Sequence, residues 1–121
     1  VGATVLATDL KQPAASGAAN VAAMACDVTD EASVEALAAQ VKERFGRCDI
    51  LVNNAGVMAP VIPLEEFPTA TWDKVMNVNL KGSFLCAKYL ARLMLAQGKG
   101  AIRWRWSGGR AASGRTRSAR A

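Results

Sequence analysis

Residues 48–57 read CDILVNNAGV: an apolar run, two amides, a small residue and a glycine. Ile50, Leu51 and Val52 are consecutive, the pattern of a central parallel strand covered on both faces, where alternation is not required. Polar groups then arrive together. Asn53 and Asn54 bring two carboxamides, each both donor and acceptor, to the strand's carboxyl end, where open α/β sheets bind their ligands. Gly56 permits a backbone that a Cβ would block. Asn-Asn-Ala-Gly is also an ordinary turn signal, so its meaning depends on what surrounds it.

Working outward, residues 2–10 (GATVLATDL) run through Thr4, Val5 and Leu6 to an acid and read as a buried strand closing at Asp9. Residues 11–20 are rich in Ala, Gly and Pro without an apolar period, and read as a loop with at most one turn. Residues 21–26 form a second short apolar strand, followed by Asp27, Val28, Thr29 and Asp30. From Glu31 to Phe45 the apolar residues Val34, Leu37, Val41 and Phe45 recur at near-helical intervals. Thr29 or Asp30 can cap this helix, and Gly46 supplies its stop. Strand, helix and strand with short links imply right-handed parallel connections, hence an α/β fold with a doubly wound parallel sheet. Beyond the amides, residues 57–71 (VMAPVIPLEEFPTAT) make an apolar loop with three prolines, suited to a pocket wall. A long helical pattern spans residues 72–96, with Thr69 or Thr71 as cap and Asp73 in its first turn. Asn77, Asn79, Lys81 and Gly82 fall in its interior, where amides and glycine lower helix propensity.

A chain of 121 residues with 51% apolar content suffices for one domain or part of one. No apolar run is long enough to span a membrane and no signal-peptide pattern stands at the front, which predicts a soluble, cytoplasmic protein. The three cysteines, Cys26, Cys48 and Cys86, have neither metal nor disulfide spacing and read as reduced, buried thiols. With no histidine in the sequence, Ser-His-Asp and Cys-His catalysis and most zinc sites are excluded, and no metal is expected. The net charge of +5 is unevenly spread: residues 1–102 hold nine basic and ten acidic side chains, and residues 103–121 hold six arginines and no acid. The basicity therefore belongs to the tail, and a nucleic-acid partner is not expected for the domain.

The NNAG at 53–56, the acids closing the strands at Asp9 and Asp27, and the VNL at 78–80 together resemble the short-chain dehydrogenase/reductase family. The resemblance runs from residue 1 to about residue 102, and it implies a partial Rossmann-type, three-layer NAD(P)-binding fold. By match to the family, Asp9, with Leu10 beside it, receives the adenosine ribose hydroxyls, and its charge repels a 2′-phosphate, favouring NAD over NADP. Asp27 would meet the adenine amino group and the Val28 backbone amide the ring, while Asn54 and Gly56 border the cofactor. Asn79 corresponds to the asparagine of the catalytic tetrad, in a locally distorted helix whose backbone holds a water relaying protons from the catalytic lysine. The activity implied is reversible oxidation of a secondary alcohol, or reduction of a ketone or oxoacyl group. The helix over 72–96 implies a homo-oligomer, with Phe84, Leu85, Tyr89, Leu93 and Leu95 as core and dimer-face residues. Tyr89 is not the catalytic tyrosine, because Leu93 stands where a lysine is needed.

The sequence departs from the family at both ends. No GxxxGxG appears, so the phosphate-cradling loop expected before Asp9 is not in these residues, and the stretch reads as truncated at its front. Residues 98–102 (GKGAI) open the family's fifth strand. Ser107 stands near its serine position, but no Tyr-x-x-x-Lys follows. The domain is accordingly drawn as 1–102 and a basic tail as 103–121, disordered or translated out of frame from about codon 103. On this reading the polypeptide alone is inactive. Two other readings stay open: a noncatalytic module that dimerises through the long helix, and a nucleic-acid arm using Trp104 and Trp106 for stacking.

Overall fold

The computed structural model describes residues 2–14 and 16–105. Strand β1 (Val5–Asp9) pairs in parallel with β2 (Val21–Ala25), Val5 opposite Val21 and Asp9 opposite Ala25. Helix α1 (Glu31–Phe45) follows, then β3 (Ile50–Asn53), helix α2 (Thr69–Met76), a π-helical turn (Asn77–Gly82), helix α3 (Ser83–Ala96) and β4 (Ala101–Trp104). β4 lies parallel to β3, with Ile50 opposite Ala101 and Asn53 opposite Trp104.

Helix α1 begins and ends as its sequence dictates. The Asp30 carboxylate accepts the Ser33 N–H at 3.2 Å as N-cap, and Gly46 closes the helix in the left-handed region at φ 67°. Its apolar stripe, Val34, Leu37 and Val41, is buried against Leu85, Cys86 and Leu90 of α3, with Cys26 beside them. Leu6, Met24 and Leu51 pack on this core from the strands.

Three expectations are corrected. The long helix starts at Thr69, not residue 72, behind Pro68, whose fixed φ suits a helix entry. Thr69 and Thr71 are therefore inside the helix and cap nothing. Hydrogen bonding among the described residues divides into two parallel pairs, β1–β2 and β3–β4, and does not run as one sheet. Finally, Ile50 and Val52 are not covered on both faces. Leu51 points to the α1–α3 core, and its neighbours, alternating to the opposite side, stay 63% and 54% exposed. The composition change after residue 102 does not end β4, which continues through Arg103 and Trp104. Trp106 and Ser107 lie outside the described residues.

Candidate functional site

The site is assembled around the π-helical turn, where an interior of Asn77, Val78, Asn79, Leu80 and Lys81 gives up the α-helical register. Asn79 turns its carboxamide away from the helix and onto the loop after β3. Its Oδ1 accepts the Val57 N–H at 2.8 Å, and its Nδ2 donates to the Val57 carbonyl at 2.9 Å. Both functions of the amide are thus spent on one residue's backbone. The Asn79 carbonyl accepts the Ser83 hydroxyl at 2.9 Å through one lone pair.

The other end of the turn touches the loop after β2. Gly82 is buried, and a Cβ added there would lie 2.7 Å from Val28 Cγ2 and 3.4 Å from the Val28 carbonyl oxygen. One six-residue turn therefore meets Val28, three residues past the end of β2, and Val57, four residues past the end of β3. The carboxyl ends of the two parallel pairs consequently open on the same side of the molecule.

The acids of this rim are held by short-range bonds. Asp9 closes β1, its carbonyl accepting the Cys26 N–H at 2.8 Å and its Oδ1 accepting the Leu10 N–H at 2.7 Å. The Leu10 amide is therefore occupied by its neighbour's carboxylate, and the Leu10 side chain is exposed. Asp27 Oδ1 accepts both the Thr29 hydroxyl (2.7 Å) and the Thr29 N–H (2.9 Å), while the Asp27 N–H donates to Ser33 Oγ at 3.0 Å. These two Thr29 bonds, hydroxyl first, favour the ionised carboxylate and hold the Asp27 pKa below its ordinary value. Stability from this depressed group is present above the unfolded-state pKa of Asp27 and is lost as pH falls through its folded value. A carboxyl-carbon NMR titration should therefore give Asp27 a midpoint below that of an unstructured aspartate. In Thr29→Val, which removes the hydroxyl bond, the midpoint should move back up. Among the described residues, Asp27 Oδ2 and the Val28 N–H have no hydrogen-bond partner, leaving an acceptor and a donor on consecutive residues.

The two amides of the Asn-Asn pair differ. Asn53 is only 8% exposed, and its Nδ2 has no acceptor among the described residues, whereas Asn54 and Gly56 are exposed. Gly56 has no positive φ, so any need for glycine there comes from close approach of something else and not from the backbone. The structure thus brings Asp27, Val28 and Asn79 around the π-turn and sets Asp9, Asn54 and Gly56 at strand ends on the rim. Gly82 and Val57 were not read as site residues. Gly82 had signalled itself only as a helix-weakening residue, and Val57 carried no signal because its part is played by backbone atoms. Met58, Val61 and Leu64 of the loop after Gly56 are strongly exposed, an apolar surface next to the rim.

Comparison with known proteins agrees with this α/β arrangement of parallel strands and helices. A family model described as enoyl-(acyl carrier protein) reductase matches residues 1–112. D-threitol dehydrogenase of Mycolicibacterium smegmatis is 44% identical over 112 residues, covering 84% of this chain and 42% of that protein. NAD-dependent glycerol dehydrogenase of Listeria innocua is 39% identical over 106 residues, covering 84% of this chain and 41% of that protein. Among solved structures, sorbitol-6-phosphate 2-dehydrogenase of Erwinia amylovora superposes with a TM-score of 0.77 at 37% identity, over 85% of this chain and 44% of that one. The chain belongs to the short-chain dehydrogenase/reductase family, with its partial Rossmann-type α/β fold. It spans between about three tenths and two fifths of the length of the curated relatives it matches.

Proposed function

We propose that these residues form the adenosine-binding part of an oxidoreductase that transfers hydride between NAD(H) and a small secondary alcohol or ketone. The observation that carries the reading is the pair on consecutive residues, Asp27 Oδ2 as acceptor and the Val28 N–H as donor, each without a protein partner among those described. The edge of adenine presents the complement, an amino donor beside a ring-nitrogen acceptor. Asp9, exposed at the end of β1 with no hydrogen-bond partner for Oδ2 among the described residues, is assigned to the ribose hydroxyls, and its charge favours NAD over NADP. Asn54 and Gly56 are assigned to the cofactor's path along the rim.

When bound, the nicotinamide supplies the hydride chemistry. Asn79 holds the Val57 loop with both ends of its side-chain amide, so the part it can play in moving a proton is through its backbone carbonyl, which already accepts the Ser83 hydroxyl. The alcohol class is supported by the threitol and glycerol dehydrogenases, and an oxoacyl substrate by the description of the matching family model. The exposed apolar loop carrying Met58 and Leu64 would form the wall on the substrate side.

Titration of the 121-residue polypeptide with NADH and NADPH, followed by amide NMR, tests the reading. NADH should bind weakly, perturbing Leu10, Asp27, Val28 and Asn54, and NADPH should perturb Leu10 less. Perturbations confined to other residues would overturn the site, and stronger binding of NADPH would overturn the role of Asp9.

A further inference from the structure

We propose that Gly82 is a positioning residue for nucleotide recognition: its missing side chain lets the π-turn rest on Val28 and so fixes the Val28 N–H and the Asp27 carboxylate where adenine meets them. The inference rests on the adenine reading above and adds to it a residue of the helix that touches no ligand. Three observations carry it. A Cβ at Gly82 would come within 2.7 Å of Val28 Cγ2, closer than side chains tolerate, and within a tight 3.1 Å of Val28 Cβ, so Val28 must move if residue 82 gains one. Gly82 has φ −59° and ψ −46°, ordinary helical values that any residue adopts, so backbone conformation does not demand glycine here. The contact with Val28 does. Third, Val28 has little freedom to move, because Asp27 before it is bonded to Ser33 and Thr29, and Asp30 after it caps α1.

The same turn holds Val57 through Asn79. It therefore sets the spacing between the loop after β2 and the loop after β3, with Gly82 acting on the first and Asn79 on the second.

The test compares the 121-residue polypeptide with Gly82→Ala, Val28→Ala and the double variant, by amide NMR without ligand and during titration with AMP. Gly82→Ala should shift the Val28 and Thr29 amides, leave the Val57 amide in place, and weaken AMP binding by about tenfold. In the Val28→Ala background, where Cγ2 is gone, the same change should cost much less affinity. A Gly82→Ala variant that folds only when Val28→Ala is also present would support the contact equally. Unmoved Val28 and Thr29 amides, unchanged AMP affinity, an equal loss in both backgrounds, or failure of both Gly82→Ala variants to fold would overturn the role of Gly82. If Gly82→Ala moves those amides but AMP perturbs neither Val28 nor Asp27 in the unsubstituted polypeptide, it is the adenine reading that fails, and the nucleotide role of Gly82 with it.

Discussion

Asn79→Ala is expected to destabilise the fold by about 2–3 kcal/mol, because it strips partners from two backbone groups of Val57 in a partly buried setting. Each lost hydrogen bond contributes of order 1 kcal/mol, and the stranded N–H and carbonyl add their own desolvation cost where water cannot reach them. For a domain of this size the midpoint of thermal unfolding should fall by on the order of 10 °C. Asn79→Asp distinguishes the clamp from mere bulk. It keeps an acceptor for the Val57 N–H but sets a carboxylate against the Val57 carbonyl, so it should be no better tolerated than alanine. An aspartate variant as stable as the parent in a thermal melt would mean that the donor half of the clamp does nothing.

The largest loss is expected at Leu85, which is 2% exposed and lies between α1 and the strands. Leu85→Ala should cost about 2–5 kcal/mol, from lost burial and from a cavity that the surrounding Val34, Leu37 and Leu90 can only partly close. Its neighbour gives the control. Phe84 is larger and equally apolar, but it points outward and is 60% exposed, so Phe84→Ala should change monomer stability by no more than about 0.5 kcal/mol. Urea unfolding of the two variants at low protein concentration measures both. Comparable losses would mean that the face of α3 turned to the core has been misassigned.

The contrast between these residues shows what could be read from sequence and what could not. Helix α1 was legible in its span, its apolar spacing and its Gly46 stop, all local signals, while the cap, left open between Thr29 and Asp30, is Asp30 in the structure. Strands β1 and β3 were legible in position for the same reason, but β1, read as buried, is exposed at Val5, Thr8 and Asp9. The weak helix propensity around Asn77, Asn79 and Gly82 correctly marked a break, but propensity cannot say what the break is for. That depends on Val57, 22 positions before Asn79, and on Val28, 54 positions before Gly82. Those are tertiary contacts without a periodic trace. The exposed flanks of Leu51 were misread because an unbroken apolar run reports what a strand could bury. It does not report how many helical layers are at hand to bury it. The helix start at Thr69 was missed because its N-cap, Pro68, carries no side-chain oxygen to mark it.

A π-turn carries one residue more than the α-helical repeat would need, and each helical residue advances the side chain by about 100°. The turn at Asn77–Gly82 therefore sets the phase of everything that follows in α3. Deleting one residue there would let the segment close into regular α form with α3 kept in nearly the same phase, whereas winding all six residues as α-helix would rotate α3 by about 100° and carry Leu85 off the core. The wider turn between Met76 and Ser83 thus takes up its extra residue locally, and the core-facing side of α3, with Leu85 and Leu90, keeps its orientation.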